Sequence, residues 1–242
     1  MRTLITGGTR GIGAAVARRL AADGHELVLG YASDDLAAKH TAQTCRDLGA
    51  RCTTVRADVT ADAGIDELFT AAGELTAVVN NAGATLHIGP LADTPPDVVR
   101  ATVGLNLTSA LLVARAAVRA MGRSRGGAGG VLVNISSGAA TLGSPGEYVQ
   151  YAAAKAGVDT LTVGLAHEVA GDGIRVVGVA PGIIDTTIHA DAGEPGRVAR
   201  VGPLVPLGRA GTVDEVAGAV AWLLSDEASY VTGTTLRVAG GR

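Results

Sequence analysis

The chain has 242 residues, 47% hydrophobic and 18% charged, with a formal net charge of −3. That apolar content and weak charge exclude intrinsic disorder, and the slightly acidic balance argues against nucleic-acid binding through a basic face. A chain of this length buries roughly 70–75% of its unfolded surface without disulfide staples, so Cys45 and Cys52 read as packing residues in a reducing cytoplasm.

Short β-branched runs alternate with longer amphipathic stretches from end to end. The pattern predicts strands at 2–6, 26–30, 52–57, 77–80, 131–136, 174–180 and 234–238. Helices are predicted at 12–23, 35–48, 61–72, 96–121, 149–170 and 212–224. Runs such as Val131-Leu132-Val133 are apolar on both faces, as in strands covered by helices on both sides. The expected fold is therefore α/β, a Rossmann-type doubly wound parallel sheet of about seven strands. With no composition break or repeat, a single domain over 1–242 is expected. The Gly- and Pro-containing stretch near 185–210 reads as a lid or substrate loop. No export signal precedes the first strand, and no apolar run reads as reaching the ~18 residues of a membrane span.

The first strand runs into Thr6-Gly7-Gly8-Thr9-Arg10-Gly11-Ile12-Gly13, where a helix opens. Glycines at such a turn let the backbone approach a pyrophosphate, and the helix N-terminus offers it free N–H groups. Dinucleotide binding is expected, with Gly7, Thr9, Arg10, Gly11, Ile12 and Gly13 in contact with the cofactor. The second strand ends Gly30-Tyr31-Ala32-Ser33, without the acid that holds the ribose hydroxyls of NAD. Tyr31 and Ser33 are placed on the cofactor side there, whereas Asp34 and Asp35 read as helix-capping residues.

Further along, Tyr151-Ala152-Ala153-Ala154-Lys155 puts a phenol and an ammonium on one face of a helix. The cation is expected to lower the phenol pKa and so prepare a general acid/base for neutral pH. Lysine occurs only at 39 and 155 among the 20 basic residues, which draws attention to Lys155. Ser137 ends the fifth strand at the carboxyl edge of the sheet, where its hydroxyl would polarise a carbonyl oxygen; Ser136 reads as packing. Asn106 interrupts a helix of Leu, Ala and Val and requires a reason, since its helix propensity is poor. The histidines at 25, 40, 87, 167 and 189 show no metal-ligand spacing, and no metal is expected. His87 and His189 read as surface residues.

These motifs together resemble the short-chain dehydrogenase/reductase superfamily over essentially the whole chain, including members like 3-oxoacyl-(acyl-carrier-protein) reductases and glucose dehydrogenases. Its TGxxxGIG pattern is matched at 6–13, its adenine-side pair by Asp58 and Val59, and its NNAG signature at 80–83. Its nicotinamide-side loop is matched by Pro181, Gly182, Ile184 and Thr186. The resemblance implies Asn80, Ala82 and Gly83 beside the cofactor and Asn106, Ser137, Tyr151 and Lys155 as a catalytic set. In that set Ser137 steadies the oxyanion and Tyr151 exchanges the proton. Lys155 tunes the phenol and holds ribose hydroxyls, and Asn106 supports a water relay. One departure is that Ser137 and Tyr151 are fourteen residues apart, against the family's thirteen; the extra residue falls in Pro145–Gln150.

The resemblance further implies hydride transfer between a nicotinamide and a ketone or secondary alcohol. Arg10 favours NADP, with NAD possible because Ala32 stands where a second basic residue is usual. The leading expectation is a cytoplasmic NADPH-dependent carbonyl reductase for a small molecule, with no nucleic-acid or membrane partner. Alternatives are a 3-oxoacyl-(acyl-carrier-protein) reductase, disfavoured by Asp172 ahead of the sixth strand, an NAD-using sugar or polyol dehydrogenase, and a non-catalytic NADP sensor. The apolar faces of the helices at 96–121 and 149–170 point to a homo-oligomer, and the resemblance implies a homotetramer paired through them.

Overall fold

The computed structural model describes residues 1–242. Seven strands, β1 (Arg2–Ile5), β2 (Glu26–Tyr31), β3 (Cys52–Arg56), β4 (Ala77–Asn80), β5 (Gly130–Ile135), β6 (Ile174–Pro181) and β7 (Thr235–Val238), form one sheet. Every pairing is parallel, in the order β3-β2-β1-β4-β5-β6-β7. The order reverses between β1 and β4, which opens a crevice at the carboxyl ends of the strands.

Helices cover both faces: α1 (Gly11–Ala22), α2 (Asp35–Asp47) and α10 (Val213–Leu224) on one, α3 (Asp62–Ala72), α5 (Ser109–Met121) and α7 (Val149–Val169) on the other. Successive strand residues therefore enter different cores. Val131 and Val133 pack with α1 and α10, while Leu132 packs with α3, α5 and α7. Cys45 and Cys52 lie thiol against thiol, buried in the first core. Local signals set the helix starts. Asp34 caps α2, its carboxylate accepting from the Ala37 N–H at 2.9 Å. Thr212 and Glu215 form a reciprocal capping box at α10.

The stretch predicted as one helix at 96–121 is instead α4 (Pro96–Val103) and α5, joined by a π-helical turn over Gly104–Thr108 that contains Asn106. Contrary to the sequence expectation, this composite is long and apolar enough to cross a membrane by length and composition. In the fold, Val113, Ala114, Ala117 and Met121 pack it onto the sheet. Three short helices escape the sequence pattern: α6 (Ala139–Leu142), α8 (Ile188–Asp191) and α9 (Arg197–Val201). The last two order the stretch expected to be a loop.

Candidate active site

A cleft of about 400 Å³ follows the carboxyl edge of the sheet. One end is built by the glycine-rich turn. Gly7 and Gly11 have φ of +60° and +50°, and a Cβ on Gly13 would stand 2.1 Å from the Gly7 carbonyl oxygen. No side chain caps α1, so the first-turn N–H groups that a helix leaves unpaired face the cleft. A dinucleotide pyrophosphate fits this arrangement. Gly7, Thr9, Arg10, Gly11, Ile12, Gly13, Tyr31, Ser33, Asp58 and Val59 all line that end. Asp35 does not reach the cofactor side: it accepts from the Tyr31 hydroxyl at 2.9 Å. Further along the cleft, Ala82, Gly83, Pro181, Gly182, Ile184 and Thr186 line its walls.

Asn80 is a correction. As the last residue of β4 it turns inward, away from the cleft, and its Nδ2 donates to the Ala110 carbonyl at 3.0 Å and to Asn134 Oδ1 at 3.1 Å. Asn134 passes the chain on to the Thr162 hydroxyl. The neighbouring Asn81 lines the cleft instead, donating to the carbonyls of Thr6 and Gly7 at 2.9 and 3.0 Å. The Thr6 hydroxyl accepts from the Asn81 and Ala82 N–H groups. Thr6 and Asn81 thus brace the glycine-rich turn, a role sequence reasoning missed because an Asn-Asn pair does not say which side chain faces which way.

At the other end Ser137, Tyr151 and Lys155 converge on the cleft. The Ser137 hydroxyl stands beside the Tyr151 phenol and accepts from the Ala139 N–H at 3.2 Å. Lys155 Nζ lies 5.7 Å from the Tyr151 ring centre and donates to the Ile135 carbonyl at 2.8 Å. Ser136 bonds the Lys155 carbonyl. The extra residue in Pro145–Gln150 is therefore absorbed before α7 without separating serine from tyrosine.

The electrostatics differ from expectation. Burial pushes the Tyr151 phenol up to about 12, with the Ser137 hydroxyl opposing it, and draws the Lys155 ammonium down to about 8. Desolvation penalises both charged forms and outweighs the expected pull of the ammonium on the phenol. At neutral pH the phenol consequently holds its proton.

Asn106 does not itself line the cleft. Its Oδ1 accepts from the Ala84 N–H at 3.2 Å, and its Nδ2 donates to the carbonyls of Ala84 and Thr102. It clamps the 81–84 loop beside Lys155.

The stretch at 185–210, read as a lid or substrate loop, is anchored by a buried ion cluster. Arg197 is completely buried, with Nη1 donating to Glu147 at 3.0 Å and Glu194 at 2.9 Å, and Nη2 donating to the Tyr148 hydroxyl at 2.8 Å. His189, expected at the surface, is 8% exposed and lines the cleft. The two non-glycine residues with left-handed backbone, Leu86 and Ser144, both border this end.

A sequence-family profile described as enoyl-(acyl carrier protein) reductase matches residues 7–242. The chain is 44% identical over 243 residues to the uncharacterized oxidoreductase YgfF of Escherichia coli strain K12, spanning 99% of this chain and 98% of that protein. It is similar to the structure of a short chain dehydrogenase from Burkholderia cenocepacia J2315 in complex with NADP. That match has a TM-score of 0.88 and 33% identity, over 99% of this chain and 96% of the other. A 3-ketoacyl-(acyl-carrier-protein) reductase from Brucella melitensis complexed with NADH matches with a TM-score of 0.90 and 30% identity, over 100% and 97% of the two chains. Fold, cleft and whole-length matches agree: the chain belongs to the short-chain dehydrogenase/reductase family and is an NAD(P)-dependent oxidoreductase acting on C=O and CH–OH groups.

Proposed function

We propose that the protein is an NADPH-dependent carbonyl reductase of small molecules, one domain holding both cofactor and substrate, with Tyr151 as its general acid. The observation that carries this reading is the buried phenol of Tyr151, set beside Ser137 and Lys155 in a dinucleotide-shaped cleft. A proton donor at that place suits carbonyl reduction.

When bound, the nicotinamide supplies hydride to the carbonyl carbon. The Ser137 hydroxyl donates to the carbonyl oxygen and stabilises the charge that develops there. Tyr151 then delivers its proton to that oxygen, giving the alcohol and leaving a phenolate. The Lys155 ammonium offsets the phenolate charge and would hold the ribose hydroxyls of a bound nicotinamide cofactor. Asn106 acts by position, holding Gly83 and Ala84 against Lys155.

NADPH is favoured by Arg10, which is exposed on the cleft and has no ion-pair partner, and by the acids after β2: Asp35 bonds Tyr31 outside the cleft, and Asp34 lines the cleft with its carboxylate engaged in capping α2. The exposed Leu111 of α5 and Val163 of α7 support a homotetramer paired through those helices, and the buried, unlinked thiols suit a cytoplasmic protein. An acidic carrier protein is disfavoured by Asp172, just before β6, whose carboxylate accepts from the Ser124 N–H in the turn ahead of β5. Initial rates with NADPH and NADH against ketones, aldehydes, an acetoacetyl thioester and a sugar lactone test the reading. Ketone reduction by NADPH supports it; cofactor binding with no turnover replaces it with the sensor alternative.

A further inference from the structure

Two residues lining the cleft, His189 and Arg242, each hold a buried nitrogen with no hydrogen-bond partner. His189, on α8, is 8% exposed, and its Nδ1 is buried without a hydrogen-bond partner. A buried polar atom left unpaired is destabilising, and because His189 lines the cleft a ligand oxygen bound beside it would relieve that cost.

The backbone that carries the imidazole is also tied down. The His189 carbonyl accepts from the Glu194 N–H at 2.8 Å, and Glu194 in turn is tied to the buried Arg197. Arg197 joins this segment to Glu147 and Tyr148, its guanidinium carbon lying 4.9 Å from the Tyr148 ring centre. Tyr148 packs edge-to-face on Tyr151, with ring centres 5.6 Å apart. The support of His189 and the proton donor thus share one rigid wall, which preorganises the distance between them.

We infer that His189 is a substrate-binding residue that recognises a second oxygen on the substrate. The preferred substrates are then small ketones bearing another uncharged oxygen, as in diketones and hydroxyketones, in preference to hydrocarbon ketones. This inference rests on the carbonyl-reductase reading. Burial and the nearby Arg197 lower the His189 pKa, against the opposing pull of Glu194 and Glu147. A neutral imidazole offers one donor and one acceptor, which match a carbonyl or hydroxyl better than a carboxylate. A hydrocarbon ketone leaves Nδ1 unpaired, and sites built to hydrogen-bond a group discriminate against analogues that lack it.

The test compares butanedione, butanone and oxobutanoate with NADPH as cofactor, using wild type, His189→Phe and His189→Gln. Melting temperature and NADPH affinity report on folding. Calorimetric binding of butanedione to NADPH-loaded Tyr151→Phe, with and without His189→Phe, reads recognition apart from turnover. The expected wild-type preference is for butanedione. The kcat/KM ratio of butanedione to butanone should fall about tenfold in His189→Phe, mostly through KM, and recover in His189→Gln. Binding to the inactive protein should weaken by a similar factor. An unchanged ratio in a folded His189→Phe, or a wild-type preference for oxobutanoate, overturns the inference. If wild type reduces none of the three and the inactive protein binds no butanedione, the carbonyl-reductase reading falls and takes this inference with it.

Discussion

Lys155 Nζ donates to the Ile135 carbonyl at 2.8 Å, anchoring the buried ammonium of α7 at the carboxyl end of β5. One hydrogen bond does not replace the lost hydration, and burial holds the pKa near 8. Below pH 8 both folded and unfolded chains bind this proton, and the folded state carries the full desolvation cost. Between pH 8 and the unfolded value of 10.5 the folded state releases the proton first, so stability rises with pH through that window. Lys155→Met should abolish activity yet raise stability at pH 7 by about 2 kcal/mol. Urea unfolding of both proteins at pH 7 and pH 9.5 checks this, with the difference shrinking at the higher pH.

Gly83 has a steric role. A Cβ there would stand 2.7 Å from Asn106 Oδ1 and 3.3 Å from Lys155 Nζ. Gly83→Ala must therefore displace one or both, and a loss of at least about tenfold in kcat is expected, with destabilisation of about 1–3 kcal/mol. Steady-state kinetics beside thermal melting separate the two effects.

The Arg197 hydrogen bond holds the Glu147 carboxyl below its usual range. A carboxylate lowered on folding contributes stability above its unfolded pKa of about 4.5, lost as pH falls through the folded value. The segment carrying α8 and α9 should loosen on acidification below that point. Glu147→Gln should mimic the loosening at pH 7, raising KM and speeding cleavage in limited proteolysis between residues 187 and 205.

Arg10→Ala should lower the NADPH-to-NADH preference in kcat/KM by about tenfold, through KM for NADPH, because a charge-assisted phosphate contact is worth about 1.5–3 kcal/mol. Parallel titrations of the two cofactors give the answer directly.

Much of this site was legible because its signals are local. Tyr151 and Lys155 are four residues apart on one helix, and the Gly7–Gly13 turn joins a strand to a helix, so spacing alone places them. Asn80 was misplaced because its direction depends on the Ala110 carbonyl and Asn134, thirty and fifty-four residues away. The π turn at Asn106 was invisible because one extra residue per turn leaves the apolar pattern helical. His189 looked like a surface polar, and Arg197 drew no attention, because α8 and α9 are only four and five residues long. The burial of Arg197 comes with contacts to Glu147 and Tyr148, roughly fifty positions earlier. The pKa values of Tyr151 and Lys155 escaped for the same kind of reason, since desolvation is a property of the packed cleft.

The most direct test of the central claim is isotopic. NADPH carrying deuterium at the transferring face of nicotinamide C4 is incubated with butanedione and either wild-type protein or Tyr151→Phe. The account predicts deuterium on the carbinol carbon of the product from wild type, and at least about a hundredfold less product from Tyr151→Phe at equal NADPH affinity. Undiminished deuterium transfer by Tyr151→Phe, or none by a wild-type protein that binds NADPH, would contradict it.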